Sequence, residues 1–253
     1  MPRMLPLTDD NERGHGLAFV SLGLIAANVA VFLLLQGAGA SQSGAEFTSG
    51  FAAVPYEITT GVDLIAPEPV TIDGQVYQVP QEPGPTPIWL TLLSAMFMHG
   101  GWLHLLGNML FLWIFGDNVE HRVGHVMFLA FYLVAGVIAS FAQILVDVGS
   151  VIPTLGASGA IAGVLGAYLV LFPGNRVLVL LLRFPIWVPA IVAIGLWAAL
   201  QVIGGFGATT EGGGVAYMAH IGGFVAGLVA GVLFRILFNE PRHPRGTPAT
   251  AFR

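Results

Sequence analysis

Ser158 and His220 are the residues with which this sequence could build an activated nucleophile. Ser158 stands in Gly156-Ala157-Ser158-Gly159, where the glycines permit a tight backbone and close approach of another chain. A serine hydroxyl attacks well only when a neighbouring base takes its proton, and imidazole is a common base. His104 and Asn108 are four residues apart. On a helix they share one face and can both donate hydrogen bonds to one acceptor. At a helix N-terminus, free backbone N–H groups beside Ser158 could also hold an oxyanion. Each signal alone has a plain alternative. A serine in an apolar helix commonly bonds the carbonyl four residues back, small residues serve helix packing, and a single histidine is often a satisfied core residue. The absence of cysteine removes thiol catalysis, disulfides and cysteine-ligated metals. His121 and His125 have metal-ligand spacing but no third ligand nearby, so no metal site is expected.

The elements that carry these residues decide among the readings. Of 253 residues, 55% are hydrophobic and 9% charged, with a net charge of −5; soluble domains average about 25% charged. The mean hydropathy is +0.80. A soluble domain of this size could not hide so much apolar surface. The composition predicts an integral membrane protein and excludes soluble enzymes, nucleic-acid binders and disordered regulators. Apolar segments at 17–36, 102–118, 126–146, 155–172, 184–203 and 215–238 read as six spans. The first has about the 20 residues that a bilayer core requires. A signal peptide ending near Ala38-Gly39-Ala40 is the less favoured reading of that segment. Residues 1–16 and 239–253 read as polar tails. The outer stretch 37–101 begins with a proline-rich, acidic loop over 37–87, carrying Glu46, Glu57, Asp63, Glu68, Asp73 and Glu82 but no Lys or Arg. Within it Val70 to Val79 has β-rich flanks around Asp73-Gly74 and predicts a hairpin. Residues 88–101 are apolar but too short to span and read as an interfacial or re-entrant segment.

All nine basic residues are arginines. With the N-terminus inside, Arg3, Arg13, Arg122, Arg176, Arg183, Arg235, Arg242, Arg245 and Arg253 all fall on one side, as the positive-inside rule demands. Both termini are then cytoplasmic, and spans two, four and six start at the outer face. His104, Asn108, Ser158 and His220 all come within the first turns of those spans, about 5–10 Å below the outer surface at 1.5 Å per residue. Three helices carrying polar residues to one depth favour a shared site over four unrelated ones. No Asp or Glu reaches that depth, so the arrangement would be a Ser–His dyad. Glu120 lies at the opposite, cytoplasmic end of span two and reads as a structural acceptor. Gly223, Gly227 and Gly231 form a small-residue face that would pack span six closely on span four, bringing His220 to Ser158.

In their order along the chain, four motifs resemble the rhomboid intramembrane serine proteases, over about residues 88–238. They are His104-Leu105-Leu106-Gly107-Asn108; Gly116, Glu120 and Gly124; Gly156-Ala157-Ser158-Gly159; and Ala219-His220 followed by Gly223 and Gly227. The resemblance implies an all-α membrane protein, a six-transmembrane-helix bundle with a long outer loop between helices 1 and 2. It implies Ser158 as nucleophile, His220 as general base, and an oxyanion hole of His104, Asn108 and the Ser158 N–H. The implied substrates are single-span membrane proteins cut near the outer face, usually after a small residue, with the lipid bilayer as surroundings. No cofactor, metal or nucleic acid is implied, nor any particular oligomeric state. The implied location is the bacterial plasma membrane, as a multi-pass protein. Two departures stand out: Trp89-Leu90-Thr91 replaces a Trp-Arg pair found in many relatives, and Ala162 stands where some relatives stack a Tyr on the catalytic His. Something else must therefore hold His220. A non-catalytic escort of membrane proteins would need neither Ser158 nor His220. A transporter would call for intramembrane charge or paired broken helices, which the sequence lacks.

Overall fold

The computed structural model describes residues 4–9, 16–72, 74–181, 183–207 and 215–238. The chain starts with strand β1 (Met4–Asp9) and helix α1 (Phe19–Ala30), which runs on through a π turn to Leu35. The stretch that follows holds two short helices, α2 (Gln42–Phe51) and α3 (Pro55–Thr60), and a hairpin of β2 (Glu68–Ile72) and β3 (Gln75–Val79). Its strands pair antiparallel, Val70 opposite Tyr77, and Gly74 takes a φ of +77° in the turn, as the Asp-Gly signal predicts; Asp73 lies outside the described residues. A short helical segment, α4 (Thr91–Ser94), is flanked by 3₁₀ turns over 88–90 and 95–97.

Five longer helices follow: α5 (Trp102–Val123), α6 (His125–Ile144), α7 (Ser158–Leu171), α8 (Ala190–Gly207) and α9 (Tyr217–Leu237). Gly124 alone separates α5 from α6, at a φ of +84° that only glycine takes without strain, so the two helices join in a very tight corner. Two helices, α6 and α9, are long and apolar enough to cross a membrane, while Phe19–Leu35, Ser158–Leu171 and Ala190–Gly205 are shorter apolar helices. Helix α5 has the length, about 33 Å at 1.5 Å per residue, but carries Asp117, Glu120 and Arg122 near its end.

Helix α7 sits at the centre. Every residue from Gly159 to Tyr168 is buried, with α5, α6 and α9 packed around it. A helix enclosed on so many sides needs small residues where its neighbours come closest. Gly159, Gly163 and Gly166 meet Gly223, Gly227 and the α9 backbone with no room for a Cβ between them. The outward faces of α6, α8 and α9 are apolar instead, with Val126, Ile138, Ile191, Ile203, Val229 and Ile236 exposed. An apolar exterior around a tightly packed interior suits a hydrocarbon solvent and not water.

The structure corrects the purely helical expectation at two places. Residues 184–189, read as the start of the fifth span, form strand β5 (Phe184–Pro189), paired with β4 (Arg176–Leu181). An apolar run beginning Phe184-Pro185-Ile186-Trp187-Val188-Pro189 has the hydropathy of a span, but its two prolines cannot sit in a helix interior, and the helix starts only at Ala190. The N-terminal segment, read as a tail, supplies β1, which pairs antiparallel with β4 and completes a sheet of order β1-β4-β5. Asp9 anchors that strand: its Oδ2 accepts from Asn118 Nδ2 of α5 at 2.6 Å and from the Tyr168 hydroxyl of α7 at 2.5 Å.

Candidate active site

Ser158 is the first residue of α7. Gly156, two residues earlier, takes a φ of +133°, and its N–H donates to the Ala95 carbonyl at 2.8 Å, which fastens the loop to the short helical segment before α5. A Cβ at Gly156 would stand 2.9 Å from Cε1 and Nε2 of His104 and 3.5 Å from Ser158 Oγ. The missing side chain is what lets His104 approach the serine. As the first residue of its helix, Ser158 offers an N–H with no preceding turn to accept it.

His220, in the first turn of α9, places Nε2 2.7 Å from Ser158 Oγ. Two groups of α8 hold the same imidazole. Gln201 Oε1 is 2.7 Å from its Nδ1, and the Trp197 ring lies against it with centroids 5.9 Å apart and planes inclined by 39°. Neither residue was singled out by sequence. The signal was present: Gln201 is a lone amide in an otherwise apolar run, near the end of the span that the arginine pattern expects on the same side as Ser158 and His220.

Asn108 and His104 lie on one face of α5. Asn108 is buried, and its Nδ2 has no hydrogen-bond partner among the described residues. An orphan amide donor in the interior is costly unless a ligand meets it. His104 Nδ1 accepts the Gly100 N–H at 3.2 Å, so in the neutral ring the proton is on Nε2, the nitrogen beside Gly156 and Ser158. Gly100 is held in turn by its neighbour: the His99 backbone is clamped by Gln36, whose Oε1 accepts the His99 N–H at 2.9 Å and whose Nε2 donates to its carbonyl at 3.1 Å. A cavity of about 810 Å³ opens on His104, Gly107, Asn108, Ser158, Trp197 and His220 together. It therefore holds an alcohol beside an imidazole, with donors nearby for a developing negative charge.

The remaining motif residues lie elsewhere. Glu120, fully buried at the far end of α5, accepts the Val20 N–H on Oε1 at 2.8 Å and the Ser21 N–H on Oε2 at 2.7 Å, which satisfies the start of α1. His125 Nδ1 is 2.6 Å from the same carboxylate, and Nε2 of His121 is 2.9 Å from the Gly16 carbonyl. Gly116 meets the Ser21 hydroxyl, 2.9 Å from where its Cβ would be, so α1 crosses α5 closely there. These groups join α1 to α5 and are remote from the cavity.

Comparison with known proteins agrees with this arrangement of residues. A family profile described as the Rhomboid domain matches residues 87–236. The chain is 37% identical to Rhomboid protease GluP of Bacillus subtilis over 143 residues, 56% of this chain and 25% of that protein. It is 31% identical to Rhomboid protein 1, mitochondrial, of Saccharomyces cerevisiae over 148 residues, 56% of this chain and 41% of that one. Over 93 residues it is 38% identical to the human Presenilin-associated rhomboid-like protein, mitochondrial, covering 36% of this chain and 24% of the relative. The aligned part of the chain spans less than half the length of each of these relatives. With the profile covering more than half of its residues, from just before α4 to the end of α9, the chain belongs to the rhomboid family of integral membrane proteins.

Proposed function

We propose that this protein is an intramembrane serine endopeptidase that cuts single-span membrane proteins near the outer membrane face. The observation that carries the reading is the 2.7 Å separation of Ser158 Oγ and His220 Nε2 at the wall of a cavity that also presents His104 and Asn108. His220 Nε2 takes the hydroxyl proton as Oγ attacks the scissile carbonyl carbon. The carbonyl π electrons move to oxygen, and the oxyanion is met by the Nε2–H of His104, the Nδ2–H of Asn108 and the Ser158 N–H. The tetrahedral species collapses, the C–N bond breaks, and the proton on His220 Nε2 passes to the leaving amine. Water then attacks the acyl-serine, its proton going to His220, and the second collapse returns that proton to Ser158 and releases a carboxylate product.

In this reading α1 with its π turn, α5, α6, α7, α8 and α9 are the six spans. With the arginines at their inner ends, both termini would lie in the cytoplasm of a bacterial cell and the site would open outward; the positive-inside rule supports this orientation. The outer entrance of the cavity suits a substrate whose helix unwinds near the membrane surface. The test is a serine-directed fluorophosphonate probe applied to the purified protein in detergent. Ser158 should be the labelled residue, and the probe should block cleavage of a single-span substrate. Cleavage that continues after complete labelling would sink the proposal.

A further inference from the structure

We propose that Gln201 is a positioning residue of this site: its side-chain oxygen holds the Nδ1–H of His220 and so keeps Nε2 free to take the Ser158 proton. The proposal rests on reading Ser158 and His220 as nucleophile and base, and it names what fixes the base in the absence of a stacking side chain at Ala162.

A neutral imidazole carries one proton on either of two nitrogens, and the partner of one nitrogen sets the role of the other. Free histidine keeps that proton mainly on Nε2, which is the wrong nitrogen here. Only the Nδ1–H form leaves a lone pair on Nε2 facing Ser158 Oγ at 2.7 Å. Gln201 selects that form, because its Oε1 stands 2.7 Å from Nδ1 and a carbonyl oxygen can only accept. The orientation of the amide follows from the ring: with Nε2 accepting from the Ser158 hydroxyl, Nδ1 carries the proton and must meet an acceptor, so the oxygen faces it. The Gln201 nitrogen then faces the Trp197 carbonyl 3.5 Å away, one turn earlier on the same helix. Trp197 also lies against the face of that ring. Two residues one turn apart on α8 thus hold the imidazole by its edge and by its face.

The partner is an amide and not a carboxylate. It orients the ring and fixes its tautomer while adding no charge to the site. When the ring takes a second proton during attack, the Gln201 dipole already points its negative end at Nδ1–H, so no group has to reorganise. A carboxylate would do the same but would also hold the resting ring in its charged form over more of the pH range.

The test uses full-length protein in detergent micelles, labelled with ¹⁵N-histidine, the His220 signals being assigned by their loss in His220→Ala. Wild type should show the Nδ1–H tautomer at His220. Gln201→Leu should shift it toward Nε2–H and lower kcat about 10–100-fold, as loss of an orienting partner does, with KM little changed. Gln201→Glu keeps an acceptor oxygen, so it should restore the Nδ1–H tautomer and most of the activity. It should also move the acid limb of the kcat/KM profile upward by about one pH unit or more, since an anion beside the ring favours its protonation. The other titratable side chains lining the cavity, His104 of α5, Asp147 after α6 and Tyr217 of α9, are unchanged in these variants, and the ¹⁵N shifts of His220 followed against pH assign a moved limb to that ring rather than to the new carboxyl. A folded Gln201→Leu protein with wild-type tautomer and kcat would overturn the proposal. Should Gln201→Leu melt early, Gln201→Glu decides, and an unmoved acid limb there overturns it equally. A wild-type protein that takes no fluorophosphonate defeats the protease reading instead, and the tautomer measurement tells the two failures apart because it needs no turnover.

Discussion

The backbone of Gly223 lies directly against the carbonyl oxygen of Gly159, with no space for a β-carbon. Gly159 follows Ser158 on α7, and Gly223 comes three residues after His220 on α9. The contact therefore sits beside the 2.7 Å Ser158–His220 hydrogen bond and sets the distance across it. Gly227 repeats the arrangement one turn deeper, against the carbonyl of Gly163.

Gly223→Ala should push α9 away from α7. Overpacking of this kind costs about 1–3 kcal/mol, so the melting temperature in detergent should fall. Cleavage should fall further than stability, because His220 moves with the helix. A variant with wild-type melting and wild-type turnover would mean that the helices do not meet at this point.

Ser158→Ala and His220→Ala should each nearly abolish cleavage of a single-span substrate and each block fluorophosphonate labelling. The double variant should be little worse than either single one, since the two side chains act as a unit. Multiplicative losses in the double variant would assign the two residues to independent steps. Ser158→Ala removes one oxygen from a small-residue position and should fold and bind substrate normally.

Asn108→Ala removes a buried donor that has no partner among the described residues. Its loss should leave the fold intact and cut kcat by up to about 10²–10³-fold, the cost of one oxyanion donor. His104 and the Ser158 N–H remain to donate, so the lower part of that range is expected. A rise in KM with kcat unchanged would make Asn108 a ground-state contact.

The stretch between α1 and α5 has its own titrating group. Glu57 in α3 is buried, and that burial raises its carboxyl above the ordinary range, helped by the negative charge of Asp63, while the Leu64 N–H donated to Oε1 at 2.9 Å pulls the other way. A carboxyl that holds its proton more tightly folded than unfolded loses stability as pH rises from the ordinary value through the raised one. Melting of the wild type should therefore decline across that window relative to Glu57→Gln, which keeps the acceptor oxygen for Leu64 but cannot ionise. Parallel melting curves for the two proteins across the window would show that Glu57 ionises without cost.

What the sequence made legible was what a turn signal, or the depth of a polar residue within its own helix, gives away. The hairpin over 70–79 follows from Asp73-Gly74 and its β-rich flanks. His104, Asn108, Ser158 and His220, read as polar residues at one depth, all line one cavity. What escaped needed two elements at once. β5 has the hydropathy of a span; Pro185 and Pro189 bar it from a helix interior, but its pairing with β4 is what makes it a strand. β1 is a polar-flanked hexapeptide whose strand character depends on a partner far along the chain. Gln201 was hidden because one amide in an apolar run has no motif, and its meaning comes from the imidazole that α9 delivers beside it.

The pairing of β1 with β4 also bears on the order in which the molecule can be made. Met4 stands opposite Leu181, so about 170 residues are made after β1 before its partner exists. Joining ends so distant in sequence is slow compared with closing a local hairpin, and β4 with β5 is such a hairpin. The β4–β5 ribbon should thus form as a unit and offer an open edge, with β1 expected to join last, where Asn118 of α5 and Tyr168 of α7 receive Asp9. On that order β1 would be a latch on a finished helical assembly, its docking reporting that α5 and α7 have met.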